Sequence, residues 1–368
     1  MPEANHQPES NDDRYPVLEG IDSSELNLND DYIPTVEALR PPGFGFWKAF
    51  LWCLLFVLCT QGPVIVIVVG GLLIGIKLGW ISPPEDATNF DDPTIRALLQ
   101  VAMFLTPIFI ITFSIIVLRQ RVGRDWYRRI GMRLPTIEHV ILVLVAFPAF
   151  EVLLRLLEIV LKQFLPGMPV LEQAVKSIST GPVWFGVLLI GVGPAIGEEL
   201  WCRGFLGRGL SARYGFVLAA VYTSFFFGFI HLQPLQAVFA MAAGCLLHFS
   251  YLATRSLLIP MLLHCLHNSL LLLQVSSTYQ IPFHQSLELA LMVEPFWFPF
   301  AALLLAATTS GALYQYRVRV HLPRSADPAA DRELIPRTSG ASLLPKPLHP
   351  GYVIAVVVTA ALFGWLWL

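Results

Sequence analysis

The chain has 368 residues, 55% of them hydrophobic and 14% charged, with a formal net charge of -2 and a mean hydropathy of +0.63. A soluble domain carries roughly a quarter charged residues, so this balance excludes an ordinary soluble fold and points to lipid. There is no basic stripe of the kind that binds nucleic acid. The five cysteines (Cys53, Cys59, Cys202, Cys245, Cys265) all fall in apolar runs and read as small buried hydrophobes rather than a disulfide framework.

Residues 1–45 hold ten acidic and two basic side chains among Pro, Asn and Ser, too little apolar surface to order a segment. They are expected to form an acidic, flexible cytoplasmic tail. The polar opening, followed by an apolar run too long for a signal core, predicts no cleaved signal. Apolar stretches then recur near 50–78, 96–118, 137–162, 182–206, 214–231, 235–253, 256–275, 290–314 and 351–368. A helix of about 20 apolar residues crosses the hydrocarbon core. The pattern therefore predicts an all-α membrane protein, a multi-span transmembrane helical bundle of about eight or nine helices in all, most of it at 46–316. A basic cytoplasmic linker at 317–350 and a C-terminal transmembrane helix at 351–368 follow.

Arg119, Arg121, Arg124, Arg128, Arg129 and Arg133 crowd the loop after the second span. Arg317, Arg319, Arg324, Arg332, Arg337 and Lys346 lie before the last. The loops at 79–95 and 276–289 are nearly free of basic residues. With nine spans the basic loops share one side, which predicts a cytoplasmic N-terminus and an outer C-terminus. In a bacterial host the membrane would be the plasma membrane.

The third span carries Glu151, Arg155, Glu158 and Lys162. Their spacing predicts the i,i+4 pairs Glu151–Arg155 and Glu158–Lys162, which neutralise charge on one helix, with Lys162 reaching for the interface.

The fourth span, GPVWFGVLLIGVGPAIGEELWCRGFLGRG, buries two adjacent carboxylates, Glu198 and Glu199. A charge at mid-membrane costs at least about 2.5–3.5 kcal/mol, so ionisable groups there are functional candidates. Glu199 and Arg203 share a helix face four residues apart, in the favourable acid-first order. Glu198 points about 100° away with no such partner and is the candidate general base. Glu199 and Arg203 are read as the supporting ion pair.

The fifth span ends in FFFGFIH, where Phe227 and His231 are four apart, so the ring can fix the imidazole. Ser224 and Gly228 are small enough for close helix approach. The seventh span contains HCLHN, with His264 and Asn268 on one face. Asn can donate to a developing oxyanion, and His can orient or activate water. His267, at i+3, ranks below His264, and His139 and His248 are read as structural.

One glutamate and two histidines from separate helices serve two mechanisms. Glu198, His231 and His264 are candidate ligands for a divalent metal such as zinc. Equally, Glu198 can deprotonate a water held by the histidines without metal. There is no HExxH, and the residues leave the cofactor open. A straight-helix topology also puts His231 nearer the outer face than Glu198 and His264, by on the order of 10 Å.

EELWCR (198–203), FGFIH (227–231) and HCLHN (264–268) match EExxxR, FxxxH and HxxxN in order. This pattern resembles the CAAX-protease and bacteriocin-processing family of intramembrane proteases, related to the Ras-converting prenyl-protein endopeptidases. The stretch from Gly244 through TRSLLIPMLLH is also similar, so the resemblance covers about 182–275. It implies an intramembrane endopeptidase whose helical bundle encloses a polar catalytic cavity. Its substrates would be membrane-associated proteins or peptides, with CAAX-type prenyl-protein processing as one form. It further implies Glu198 as the water-activating base, His231 and His264 completing the water or metal site, and Asn268 as oxyanion donor. Glu199 and Arg203 are implied to support. Two other functions remain open from sequence: a non-catalytic membrane scaffold or bacteriocin self-immunity factor, and a proton-coupled transporter.

Overall fold

The structure is a computed structural model that describes residues 43–80, 93–167, 172, 175–176, 178, 181–275, 282–321 and 342–367. The expected acidic tail lies, up to residue 42, outside the described residues. The helices are α1 (Phe46–Lys77), α2 (Pro93–Arg121), the single turn α3 (Trp126–Arg129) and α4 (Ile137–Leu161). A long composite helix α5 (Val183–Phe229) follows. Then come α6 (Pro234–Thr254), α7 (Leu258–Val275), α8 (Pro282–Val293), α9 (Trp297–Gln315) and α10 (Pro350–Trp367). Within the expected linker, β1 (Val318–His321) pairs antiparallel with β2 (Ser342–Pro345).

Seven of the described helices are long and apolar enough to cross a membrane. The protein is an all-α, multi-span integral membrane protein. Nine separate stretches were expected, and the difference has two sources. The fourth and fifth merge into α5, 47 residues long, and the apolar stretch of the seventh, Leu258–Gln274 within α7, falls just short of a full span. A third difference concerns the eighth. The polar gap expected at 276–289 contains much of α8, and the next span starts only at Trp297, because Pro295 cannot continue a helix.

The helices satisfy their backbone groups internally, the condition for spanning hydrocarbon, and each turns one side inward. On α1, Leu51, Leu58, Val66 and Leu73 are each more than 60% exposed, apolar surface that suits lipid rather than water. The opposite side buries Ala49, Cys53 and Phe56 against α2 and α5. There Trp201 stacks on Phe56 (centroids 4.6 Å apart, planes at 18°) and meets Phe113 and Phe205.

The composite helix is not uniform. It is π-helical at Val187–Val192 and Leu200–Gly207, with one α-helical segment, Gly193–Glu199, between. It then bends at Gly215 (φ 76°, ψ 174°), a backbone conformation that costs glycine little and other residues much. Beyond the bend α5 lies close against α6. A Cβ on Gly228 would stand 2.4 Å from the Ala237 carbonyl oxygen, and one on Gly244 would stand 3.2 Å from Ser224.

The loop between α2 and α4 is tied to the far end of α6. The Tyr251 hydroxyl donates to the Ile130 carbonyl (2.7 Å), and Arg133 donates to the carbonyls of Thr254 and Arg255 (2.8 and 3.0 Å). Ser256 returns a bond to the Arg133 carbonyl at 2.6 Å. These contacts fix where α7 begins, and hence the height of the residues it carries.

Candidate active site

Glu198 and Glu199 are the last residues of the α-helical segment enclosed by the two π-helical ones. Widened turns of this kind are rare and concentrate at functional sites. Here they let the backbone crowd α7. A Cβ on Gly191 would stand 2.4 Å from Ser269 Oγ and 3.3 Å from the Cys265 carbonyl. The same proximity lets Asn268 Nδ2 donate to the Ile190 carbonyl at 3.1 Å. An amide nitrogen carries two hydrogens, so one N–H of Asn268 is left for another acceptor.

Arg203 and Glu199 are both fully buried. Arg203 Nη1 donates to Glu199 Oε1 at 2.8 Å, and Nη2 donates to the Gly244 carbonyl at 3.0 Å. The guanidinium also lies over the Phe227 ring, 4.5 Å from its centroid. The i,i+4 pair foreseen from spacing is present, and it has a second task. Glu199 Oε1 also accepts from His264 Nδ1 at 3.0 Å, which fixes the tautomer and orientation of that imidazole.

His231 is positioned by different means. α5 ends at Phe229 and the chain turns through His231 and Leu232, the latter at φ 60°. His231 Nδ1 donates to the Phe227 carbonyl at 2.6 Å; a carbonyl only accepts, so the proton is on Nδ1. The Phe227 ring meets both imidazoles edge-on, with centroids 5.0 Å from His231 and 5.6 Å from His264.

Both Nε2 atoms are thereby left as lone-pair acceptors, and both face the same carboxylate oxygen. Glu198 Oε2 is 3.8 Å from His231 Nε2 and 3.9 Å from His264 Nε2. It is buried and, among the described residues, accepts no hydrogen bond. These distances are too long for direct hydrogen bonds and within the span of one bridging water. The expected offset of His231 toward the outer face does not occur. The bend at Gly215 and the turn after Phe229 return it to the level of Glu198, which a straight helix would not do.

The site opens on a cavity of about 150 Å³ between α4, α6 and α7. Phe227, His231, His264 and Asn268 stand on its wall. Glu198 is not among the lining residues and meets the cavity through the two histidines.

Of the third-span charges, Glu151, Arg155 and Glu158 line the same cavity, and of the two expected pairs Glu158–Lys162 is present while Glu151 has another partner. Glu158 binds both Arg155 (2.7 Å) and Lys162 (2.8 Å). Glu151 takes its partner from another helix: His267 Nδ1 lies 2.9 and 3.1 Å from its two oxygens. His267 is therefore a wall residue of the cavity with a carboxylate behind it. The available signal was its position, one turn from His264. His139 packs on Tyr316 and contacts Thr136 Oγ1 at 2.9 Å, and His248 is fully buried behind Gly207.

Among the described residues no group of three or more His, Cys, Asp or Glu side chains is arranged to hold a metal ion. The reading of Glu198, His231 and His264 as a metal-ligand set thus lacks structural support among the described residues.

Residues 180–270 match the model of a family described as Type II CAAX prenyl endopeptidase Rce1-like. That is the family the three motifs resemble, and the matched segment contains all of them. No curated protein and no solved structure matches the chain significantly. Together with the apolar helices, the family match supports a membrane-embedded protease of CAAX type acting on membrane-associated substrates.

Proposed function

We propose that the protein is an intramembrane endopeptidase in which Glu198 activates a water held by His231 and His264. One observation carries this reading. Two imidazoles with their Nδ1–H groups already committed turn their Nε2 lone pairs toward one carboxylate oxygen, at 3.8 and 3.9 Å. A water between them would donate one hydrogen to Glu198 and the other to one of the two Nε2 atoms, leaving an oxygen lone pair aimed at a substrate carbonyl in the cavity. As the carbon–oxygen bond forms, a water proton passes to Glu198. The carbonyl oxygen gains negative charge, and the free N–H of Asn268 is the donor placed to meet it. Glu199 and Arg203 act one step back. They hold His264 in its acceptor tautomer and offset one another's charge in a dry setting.

The substrate we infer is a peptide segment delivered from the membrane, with a prenylated CAAX terminus as the form the family match favours. The cavity's apolar lining, with Phe147, Phe150 and Leu154 on α4, suits a lipid-borne substrate. The cytoplasmic N-terminus read from the arginine-rich loops would place the site in reach of cytoplasmic proteins.

The test is cleavage of quenched fluorescent peptides, prenylated and plain, by the purified protein in detergent. Glu198→Gln, which keeps size and polarity, should lower the rate by about 10²–10⁴-fold, with an unchanged melting temperature. Wild-type activity should survive a strong chelator. A Glu198→Gln variant that cleaves at the wild-type rate would sink the proposal.

A further inference from the structure

Hydrolysis of a peptide bond requires more than an attacking water. The leaving nitrogen must receive a proton, and the groups around this site differ in whether they can supply one. His231 and His264 cannot do so at the atoms that face the site. Each carries its proton on Nδ1, bonded to the Phe227 carbonyl or to Glu199, and presents a bare Nε2. Glu198 takes up the water's proton but stands behind the two histidines, off the cavity wall; Asn268 can stabilise charge but does not give up a proton, and Arg155 stays ionised at any working pH.

His267 is different. Its Nδ1 lies 2.9 and 3.1 Å from the two oxygens of Glu151, which fixes the ring and balances an imidazolium charge. The ring is held flat against Phe239, centroids 5.4 Å apart and planes at 27°. Its side chain is 21% exposed and lines the same cavity as His231, His264 and Asn268. On α7 it stands one turn beyond His264, a separation of about 5–6 Å between side-chain bases. A histidine backed by a carboxylate, with its second nitrogen turned to a reaction cavity, is the arrangement that general acids and bases use. The groups facing it are Glu151 and, further along α4, Arg155 and Glu158, with Phe239 on α6.

We propose that His267, positioned by Glu151, is the acid that protonates the leaving nitrogen. The inference rests on the peptidase reading above. Water adds to the carbonyl carbon and gives one proton to Glu198. When the intermediate collapses, the carbon–nitrogen bond breaks and its electron pair goes to nitrogen. The nitrogen takes the proton from His267 Nε2 and departs as an amine, and the other product is a carboxylic acid. The proton held by Glu198 then returns to His267 through cavity water, restoring both groups. No oxidant or co-reactant is involved.

The experiment compares two substrates with the same acyl part, one a peptide amide and one an ester. An amide needs its leaving nitrogen protonated, whereas an alkoxide departs with far less help. His267→Gln retains a side-chain N–H for Glu151 and so preserves the tether between α4 and α7. With this variant, amide cleavage should fall about 10²–10⁴-fold, while ester cleavage should fall less than tenfold. A merely structural histidine would lower both equally, and that result, or no loss on the amide, overturns the proposal. Glu151→Gln should shift the amide-to-ester ratio in the same direction by a smaller factor; an unmoved ratio would remove Glu151 from the account. Glu198→Gln run in parallel separates the two levels. If it cuts both substrates like wild type, the peptidase reading itself fails; if it loses both while His267→Gln leaves the ratio unchanged, only the present inference does.

Discussion

Replacing Arg203 by methionine removes the cation from the most enclosed ion pair of the site while keeping much of the side chain's length. Arg203 and Glu199 are both fully inaccessible and 2.8 Å apart. The same guanidinium donates to the Gly244 carbonyl at 3.0 Å and rests on Phe227 at 4.5 Å. Removing one member of a buried pair leaves the other charge uncompensated and costs about 3–5 kcal/mol. The upper half of that range is expected here. Among the described residues Glu199 Oε2 already lacks a hydrogen-bond partner, and His264 is the one other group bonded to Glu199 Oε1. At 3 kcal/mol the ratio of folded to unfolded protein falls by more than a hundredfold. Denaturant or thermal unfolding in detergent measures the loss. A double-mutant cycle with Glu199→Gln identifies its cause, because the double variant buries no stranded charge. Its destabilisation should be smaller than the sum of the two singles by about 1–3 kcal/mol. A single Arg203→Met variant within 0.5 kcal/mol of wild type, or strict additivity in the cycle, would refute the reasoning. Both would mean that the pair is not the dry, mutually dependent contact its geometry describes.

Two further perturbations probe how the site is positioned. Gly228→Ala puts a methyl group 2.4 Å from the Ala237 carbonyl oxygen, which belongs to backbone and cannot swing aside. It should cost about 1–3 kcal/mol and depress activity through His231, three residues on; an unchanged melting temperature would show that α5 and α6 separate freely. Asn268→Ala should lower kcat about 10²–10³-fold with little change in KM, since an oxyanion contact strengthens only in the transition state. A rise in KM at constant kcat would instead assign Asn268 to substrate binding.

Much of the site could be read along single helices, because spacing within one helix is set by geometry alone. Glu199 four residues before Arg203, Phe227 four before His231 and His264 four before Asn268 each imply a shared face. The structure adds contacts within the first two of these pairs, and both members of the third stand on the cavity wall. Contacts between helices were less accessible. Glu151 was expected to pair with Arg155 because both lie on α4, yet it binds His267 on α7. That choice depends on the relative height of two helices whose paired residues lie 116 apart in sequence. That height is in turn set by ties such as Arg133 to Thr254 and Ser256 to Arg133, which no periodicity announces. The depth of His231 was misjudged for a related reason. Hydrophobic runs mark where chain crosses lipid, but they do not reveal that α5 widens into π-helix on both sides of Glu198 and Glu199 and bends at Gly215. The departures from regular helix are therefore the features that bring Glu198, His231 and His264 to one level. In a straight-helix bundle, the same three motifs would be present in sequence and too far apart to share a water.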